Sequence, residues 1–160
     1  MTRERFISEV RACQGSLRRF LASLCGGDAS RADDIAQEAL VRAYVNSDGF
    51  SGNFKAWLYR IAYNCFIDST RRTPLPSVDI SSPATAGIPS AADNSEAAFR
   101  REELQRALAL IPEKERTAVI LHYFEDLPAK DIAAVMHAPI GSVLYWLSSG
   151  RKHLKQHIRL

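Results

Sequence analysis

Aromatic and basic side chains alternate along residues 53–72, and this combination suits contacts with single-stranded nucleic acid. Aromatic rings can stack on unpaired bases, while Lys and Arg side chains follow the phosphates. The residues of this kind that lie off the expected apolar stripe are Lys55, Tyr59, Arg60, Tyr63, Phe66 and Arg71. The same pattern is typical of a central helix whose second face packs against a neighbour, since aromatic residues are common in cores. This segment alone leaves both interpretations open.

The same stretch is predicted to form a helix. It follows a Phe-Ser-Gly turn signal and contains no Gly or Pro. Apolar residues recur at the helical period and form the stripe Phe54, Leu58, Ile61 and Cys65, with Trp57 at its edge. We expect this stripe to pack on a core. Asn64, Asp68 and Arg72 are spaced four apart and are expected to form a hydrogen-bonded ladder on the helix surface.

Two further helices are predicted before this segment, over residues 3–24 and about 30–46. Cys25-Gly-Gly ends the first helix, and Ser30 with Asp33 resembles a capping box at the start of the second. One face of the second helix is polar and largely acidic, and it consists of Asp33, Asp34, Gln37, Glu38 and Arg42. Acids in a first turn also favour the helix dipole, which is a purely structural explanation. Three helices with short connections predict a small antiparallel bundle.

The second half of the chain contains a helix-turn-helix candidate. Helices are predicted over about 95–110, 113–124, 129–136 and 142–157, and a tight turn separates the last two. Ser142 is expected to cap the final helix, whose first exposed side chains would enter a DNA major groove. The candidate reading face is Leu144, Tyr145, Trp146, Ser148 and Ser149, and the cations after it are Arg151, Lys152, Lys155 and Arg159. Helix pairs of this shape also occur as plain packing motifs.

Residues 73–98 differ in composition from the rest of the chain. Pro, Ser and Ala are frequent, three acids are present, and Lys and Arg are absent. A stretch of this kind without periodicity predicts an extended or disordered linker. We therefore predict an all-α chain with two small helical domains, 1–72 and 99–160, joined by a flexible linker. The formal net charge of +3 is weak support for an anionic partner.

Other functional classes have little support in the sequence. Three cysteines without a Cys-x-x-Cys pair, and no signal peptide, predict free thiols and a cytoplasmic protein. The four histidines lie far from the cysteines, and His153 and His157 are expected at the surface, so we expect no metal and no cofactor. No apolar run is long enough to cross a membrane. Without a Gly-rich phosphate loop or a nucleophile motif, an enzyme is not expected.

Two groups of residues resemble conserved regions of bacterial RNA polymerase sigma factors of the extracytoplasmic-function (ECF) type. The first group is similar to the family's region 2 and contains Asp33-Asp34-Ile-Ala-Gln-Glu, Phe50-Ser-Gly, Trp57-Leu-Tyr-Arg-Ile-Ala-Tyr-Asn64 and Arg71-Arg72. The second is similar to region 4 and contains Leu110-Ile-Pro112, Asp131-Ile-Ala133, Gly141-Ser-Val143 and Gly150-Arg-Lys-His-Leu154. The resemblance is specific because both groups occur in the family's order and together cover nearly everything except the linker.

The resemblance implies a fold and three sets of binding residues. The fold would be a three-helix region 2 bundle and a four-helix region 4 that contains the helix-turn-helix. The beta-prime clamp helices of core RNA polymerase would bind Asp33, Asp34, Gln37, Glu38 and Arg42. The minus-ten promoter element would bind Lys55, Trp57, Tyr59, Arg60, Tyr63, Asn64, Arg71 and Arg72. The minus-thirty-five element would bind Gly141, Ser142, Leu144, Tyr145, Trp146, Ser149, Arg151, Lys152 and Lys155.

The resemblance also implies contact between region 4 and the beta flap of the polymerase, and an anti-sigma factor as a further partner. The family usually begins its recognition helix with a Thr-Val-Lys-Ser-Arg-like run, whereas this sequence has Ser142-Val-Leu-Tyr-Trp146. Gly150 replaces a helical Ala, and His137 replaces a turn Gly. The apolar run would contact thymine methyl groups and sugars, or a partner protein would cover it. The alternative function is a sigma-like module that binds a regulatory protein and not promoter DNA.

Overall fold

The computed structural model describes residues 1–50, 52–72 and 95–158, which form seven α-helices and no strand. The helices are α1 (Arg3–Leu24), α2 (Ala29–Val45), α3 (Phe54–Arg72), α4 (Ser95–Leu110), α5 (Glu113–Val119), α6 (Ala129–Met136) and α7 (Ile140–His157). The all-α prediction is confirmed. The predicted linker falls mainly on residues 73–94, which lie outside the described part, and its last residues begin α4.

The helices α1, α2 and α3 pack on one another as the predicted three-helix bundle. Large side chains come from α1 and α3, among them Phe20, Leu21 and Leu58, which have no exposed surface. The α2 helix contributes small buried residues, including Ala39 and Ala43. Small side chains let the α2 backbone approach its neighbours closely, so the large apolar residues fill the space between the helices.

The connection between α1 and α2 follows from local backbone chemistry. Gly26 and Gly27 have φ angles of 67° and 92°, the left-handed region that ends many helices. The predicted capping box at Ser30 is wrong. Asp28 occupies the cap position instead, and its carboxylate accepts a hydrogen bond from the Arg31 N–H at 3.0 Å. The α2 helix consequently begins one residue earlier than the sequence pattern predicts.

The helices α4 to α7 form a second unit. The predicted helix over 113–124 is present, but its last part, Ile120–Phe124, is π-helical. The turn between α6 and α7 places His137 in the left-handed region, with φ of 55°. The α7 helix begins at Ile140, earlier than predicted, because Pro139 takes the cap position. The predicted Ser142 cap is therefore wrong.

The shared core of α6 and α7 confirms the helix-turn-helix. Its buried residues include Ile132, Val135, Met136, Val143 and Leu147. The two helices are bent by 106° at the turn, within the range usual for this motif. Among the described residues no single helix is long and apolar enough to span a membrane, and α6 with α7 passes that length and composition test only as this bent pair.

A close approach between α5 and α7 explains the glycine inside the last helix. Gly150 is buried, and a Cβ atom there would lie 2.8 Å from Cγ2 of Val119 and 3.4 Å from Cβ of Glu115. Val119 is itself buried and has a stiff β-branched side chain. The lower helix propensity of Gly, about 1 kcal/mol relative to Ala, is thus offset by tighter packing of the two helices.

We expect Gly150→Ala to lower the free energy of unfolding by about 1 kcal/mol, although Ala is the better helix former, because overpacking typically costs about 1–3 kcal/mol. The matched control is Gly15→Ala in α1, where the new Cβ would meet only Nη1 of Arg19, at 3.9 Å. That variant should gain about 0.5–1 kcal/mol. Urea unfolding followed by circular dichroism compares the two, and equal gains would contradict tight packing at Gly150.

Candidate nucleic-acid and polymerase interface

The polar face of α2 remains accessible in the folded chain. It carries the five predicted polymerase contacts, Asp33, Asp34, Gln37, Glu38 and Arg42, of which the first three are exposed. Arg42 donates to Oε2 of Glu38, and its Nη1 lies 3.6 Å from Oδ2 of Asp68 in α3. Arg42 therefore braces this face against α3, while Asp34 and Gln37 point to solvent. An acidic, braced surface of this kind suits a basic protein partner.

Aromatic rings cluster where α3 begins. Phe50, in the preceding loop, packs edge-on against Phe54 and Trp57, with ring centroids 5.6 and 5.3 Å apart. Phe54 in turn lies 5.9 Å from Phe6 of α1. Trp57 is only half-buried, so part of its ring is anchored in the cluster and part faces solvent. The predicted position of Trp57 at the edge of the core stripe is confirmed.

Three aromatic side chains of α3 are buried: Tyr59, Tyr63 and Phe66. Of the two interpretations left open for these rings, a second face packed against neighbouring helices is the one that the structure shows. The Tyr59 ring has no exposed surface and stacks on Phe20 of α1, with centroids 5.1 Å apart. The Phe66 ring lies 5.5 Å beneath the guanidinium of Arg31. The reason is that α3 is a central helix, packed by α1 and α2 and also by α6 of the second unit.

The Tyr59 hydroxyl lies in a polar junction between the two units. Its oxygen is 2.7 Å from Oγ of Ser16 and 2.9 Å from Oε1 of Glu125. Burial raises the pKa of Tyr59, and the Glu125 carboxylate raises it further, while the Ser16 hydrogen bond acts in the opposite direction. Burial also raises the pKa of Tyr63. Both phenols are therefore neutral at physiological pH.

The polar candidates of α3 are held by the second unit. Lys55 Nζ donates to the backbone carbonyl of Glu125 at 2.8 Å and lies 3.5 Å from its carboxylate. Arg60 donates through Nε to Nε2 of His137 at 3.2 Å. Asn64 Nδ2 approaches the same ring nitrogen at 3.5 Å. Three residues predicted to bind the minus-ten element thus contact the helix-turn-helix unit in this arrangement.

The C-terminal end of α3 differs from the prediction. Two members of the expected ladder of Asn64, Asp68 and Arg72 have other partners, because Asp68 pairs with Arg42 of α2 and Asn64 faces the second unit. Arg71 is exposed and could contact a phosphate. The side chain of Arg72 lies outside the described part of the structure.

The first turns of α7 present apolar side chains to solvent. Leu144 is 54% exposed and Tyr145 is 65% exposed, and Ile140 stands beside them at 49%. Gly141 is exposed and Ser142 is half-buried. The predicted exposed face therefore exists, and it can offer methyl and ring surfaces to a major groove or to a protein.

Two predicted reading residues turn toward α5. Trp146 is half-buried, with Nζ of Lys114 5.5 Å from its ring centroid. Ser149 donates its hydroxyl to Oε2 of Glu115 at 2.8 Å. Glu115 is buried and lies 2.6 Å from Nδ1 of His153 through its other oxygen. Ser149 thus contributes to helix packing, and His153, expected at the surface, is half-buried and paired.

The cations of α7 lie on an accessible side of the helix. Arg151, Lys152 and Lys155 are exposed. Arg151 donates through Nη1 to the hydroxyl of Tyr123, in the π-helical segment, at 2.9 Å. This bond holds the guanidinium along the surface while leaving further N–H groups for a phosphate. The predicted Arg159 lies outside the described residues.

Four residues with central contacts carry little signal in the sequence pattern: Glu115, Tyr123, Glu125 and His137. Each acts on a residue far along the chain, from 28 to 77 positions away. Of these four, His137 is the one that is conspicuous in the sequence, because it occupies a turn position that suits glycine. Within the described residues, no group of three or more His, Cys, Asp or Glu side chains could hold a metal ion.

The sequence matches two family models. Residues 10–73 match sigma-70 region 2, and residues 101–154 match sigma-70 region 4. The chain is 35% identical over 146 residues to the ECF RNA polymerase sigma factor SigW of Bacillus subtilis (strain 168), covering 83% of this chain and 78% of SigW. It is 32% identical over 148 residues to the ECF RNA polymerase sigma factor EcfG of Rhodopseudomonas palustris (strain TIE-1), covering 91% and 81%.

Two solved structures share the fold. The sigma factor RpoE, in its complex with the anti-sigma factor NepR from Bartonella quintana, superimposes with a TM-score of 0.75 and 26% identity, covering 96% of each chain. CnrH, solved with the cytosolic domain of CnrY, gives a TM-score of 0.70 at 20% identity, covering 97% of this chain and 88% of CnrH. The similarity in both cases extends over the two helical units.

Proposed function

Because the chain belongs to the ECF RNA polymerase sigma factors, which direct bacterial core RNA polymerase to promoters, we propose that its two units divide promoter recognition between them. The α1–α3 unit binds core polymerase and the minus-ten element. The α4–α7 unit binds the minus-thirty-five element as duplex DNA and contacts the beta flap. One observation carries this proposal. The same chain has an accessible acidic face on α2 and an accessible cationic side on α7, the second helix of the helix-turn-helix.

Polymerase binding is assigned to the polar face of α2. Asp33, Asp34 and Gln37 are exposed there, and Glu38 and Arg42 complete the surface. Glu38, which is held by its ion pair with Arg42, loses little side-chain entropy on binding. A basic surface on the clamp helices of the beta-prime subunit is the partner that this charge pattern fits.

Minus-ten binding is assigned to the accessible residues of α3: Lys55, Trp57, Arg60, Asn64 and Arg71. Trp57 supplies a stacking surface and the cations supply phosphate contacts. Tyr59 and Tyr63 are left out of this assignment because both rings are buried, and Tyr59 packs within its own unit. Extruding a base from the duplex costs a few kcal/mol, which stacking on the protein must offset.

Minus-thirty-five binding is assigned to the exposed side of α7. Leu144 and Tyr145 meet base edges and sugars, and Arg151, Lys152 and Lys155 meet phosphates. An anti-sigma factor is a further partner in this proposal, since the related RpoE structure contains one. The chain has no catalytic residue of its own in this scheme, because the polymerase performs the chemistry, and it acts in the cytoplasm with that enzyme.

Run-off transcription with purified core polymerase tests the function. Added to core enzyme on fragments of a bacterial genome, the chain should produce transcripts with defined start sites, and core enzyme alone should not. Core binding without any start site would support the alternative, a sigma-like module that binds a regulatory protein. The exposed Leu144 and Tyr145 are the feature that such a module would use.

Trp57→Ala is expected to lower the rate of promoter opening roughly 5- to 150-fold, because the ring that stacks on unpaired bases is removed and such stacking contributes about 1–3 kcal/mol. Trp57→Phe, which keeps a smaller ring in the cluster with Phe50 and Phe54, should retain much of the rate. Permanganate reactivity of unpaired thymines measures opening, and thermal unfolding reports the fold. Normal opening by a folded Trp57→Ala variant would remove Trp57 from the site.

A further inference from the structure

The first turns of α7 lack the side chains that usually distinguish bases by hydrogen bonds. Between Ala138 and Gly150 the sequence contains no Arg, Lys, Asn, Gln, Asp, Glu or His. Arg and Lys distinguish guanine, Asn and Gln distinguish adenine, and Asp and Glu distinguish cytosine. The polar side-chain groups of this segment are hydroxyls and one indole N–H, and a hydroxyl can bond to donors and acceptors alike. A helix of this kind in a major groove needs another means of telling one base pair from another.

Apolar side chains face solvent on the same turns. Ile140 and Leu144 are one helical turn apart, Tyr145 follows, and all three are exposed. Trp146 and Ser149 are unavailable by comparison, since both contact side chains of α5. The surface that α7 presents at its N-terminal end therefore consists mainly of methyl groups and ring carbons.

We propose that Leu144 and Tyr145 read the C5 methyl groups of thymine, so that the minus-thirty-five element of this chain is recognised by apolar contact with A·T pairs and not by hydrogen bonds to guanine. The proposal rests on the proposed function, because it presumes that α7 enters a major groove. Thymine is the base that shows a methyl group at its major-groove edge. Packing that methyl group against an apolar side chain removes both from water, which is favourable without any hydrogen bond.

The cations behind this apolar surface favour DNA over a protein as its occupant. Arg151, Lys152 and Lys155 are exposed and follow Leu144 at spacings of seven, eight and eleven residues, which places them on the same side of α7. Seven residues of helix span about 10 Å, and the major groove is about 12 Å wide. The apolar turns can therefore meet base edges while the cations meet phosphates at the groove's edge. The sequence of α7 contains no Asp or Glu that would repel those phosphates.

The two proposed reading residues are not part of the core. The buried residues of this part of α7 are Val143 and Leu147, which pack in the shared core with α6. Leu144 and Tyr145 lie on the opposite, exposed side. Substitutions at these two positions should consequently leave the fold intact, and their effect on DNA binding can be measured without loss of structure.

The first measurement is a selection of DNA by the complex of the full-length chain with core polymerase. The probe is a pool of duplexes with a randomised central segment, and core polymerase alone gives the background. We expect the enriched sequences to share an upstream motif with thymine on one or both strands. An upstream motif made of G·C pairs, or enrichment without any upstream motif, would overturn the proposal.

The second measurement removes methyl groups from the enriched duplex one at a time. Uracil replaces thymine at each upstream position, since it pairs identically and lacks only the C5 methyl group. We expect the affinity to fall roughly fourfold for each contacted methyl group, the effect of withdrawing one such group from an apolar contact. At the same positions, 5-methylcytosine should bind roughly fourfold more tightly than cytosine. Equal affinity for thymine and uracil at every upstream position would contradict methyl readout.

Alanine variants assign the methyl contacts to side chains. In Leu144→Ala and Tyr145→Ala, the ratio of thymine to uracil affinity should fall from about four toward one at the position that each residue contacts. Leu110→Ala is the matched control, because Leu110 on α4 is 63% exposed and Leu144 is 54% exposed. Each ratio is taken within one variant, so altered polymerase binding cancels. Parental ratios in both α7 variants, with the fold verified by circular dichroism, would show that neither side chain reads thymine.

Run-off transcription from the enriched template separates failure of methyl readout from failure of the proposed function. If transcripts start at a defined site while thymine and uracil duplexes bind equally, methyl readout is wrong and the proposed function stands. A partner protein is then the remaining occupant of the apolar surface. If no template yields a defined start site, the proposed function is wrong, and methyl readout is wrong with it.

Discussion

Replacing Arg151 and Lys152 together by Glu is expected to weaken duplex DNA binding by roughly 100-fold at 0.1 M salt, for every sequence tested. Each phosphate contact contributes a slope of about −0.9 in the logarithm of the affinity against the logarithm of the salt concentration. Loss of two contacts should reduce the magnitude of that slope by roughly 1.8, and the two new carboxylates add repulsion. Both side chains are exposed on α7, so the fold should tolerate the change.

The measurement is the fluorescence anisotropy of a labelled DNA duplex as it binds the complex of the chain with core polymerase. It is repeated at several salt concentrations. Arg11→Glu with Arg19→Glu is the matched control, because both residues are exposed on α1 and the net charge changes equally. That control should leave the slope close to the parental value. If the two double variants reduce the slope equally, the effect comes from overall charge, and the phosphate contacts are not at Arg151 and Lys152.

Tyr123 orients Arg151, one of the two cations of this site. Its hydroxyl holds Arg151 at 2.9 Å, so the guanidinium is oriented before DNA arrives. Pre-organisation of this kind reduces the entropy that a flexible Arg loses on binding. The bond belongs to an exposed pair, and its effect should therefore be much smaller than that of the charge reversals.

The second large effect is expected at α2. Asp34→Lys should weaken the binding of core polymerase by at least tenfold, because it places a cation where a basic partner surface is proposed, and juxtaposed like charges cost several kcal/mol. Asp34 is exposed, so the variant should fold normally. The loss of affinity for core polymerase should also be larger at low salt, where charge repulsion is less screened.

Asp48→Lys is the control for this prediction. Asp48 is exposed in the same helical unit, in the turn before α3, and the substitution changes the net charge identically. Binding of labelled chain to immobilised core polymerase compares the two variants. A loss confined to Asp34→Lys supports the α2 face as the docking surface. Equal losses, or none in either variant, would move the polymerase contact elsewhere.

The helical architecture was predictable because it depends on local patterns. The spacing of Phe54, Leu58 and Cys65 predicts one buried stripe, and all three are buried in the structure. The turn before α2 and the short α6 follow equally from nearby Gly, Pro and apolar residues. Burial of a helix stripe is a periodic signal that sequence reports directly.

The surroundings of α3 were not predictable in the same way. Tyr59, Tyr63 and Phe66 fall outside the first stripe, and a second apolar stripe predicts a binding surface and a packed face equally well. The structure decides the question through several neighbours: Tyr59 stacks on Phe20 of α1, Phe66 lies under Arg31 of α2, and α6, more than 50 residues away in the chain, also packs on α3. Helical periodicity carries no information about which distant element covers a face.

By itself, therefore, the sequence determined the helices, the two-unit organisation and the family, because these depend on spacing within short segments and on motifs in order. Only the tertiary structure decided that Glu125 would be buried against Lys55 and Tyr59, that His137 would face α3, and that Gly150 would seat α7 on α5. Those outcomes depend on the distances and orientations between helices that are far apart in the chain. The spacing of residues within one helix does not report them.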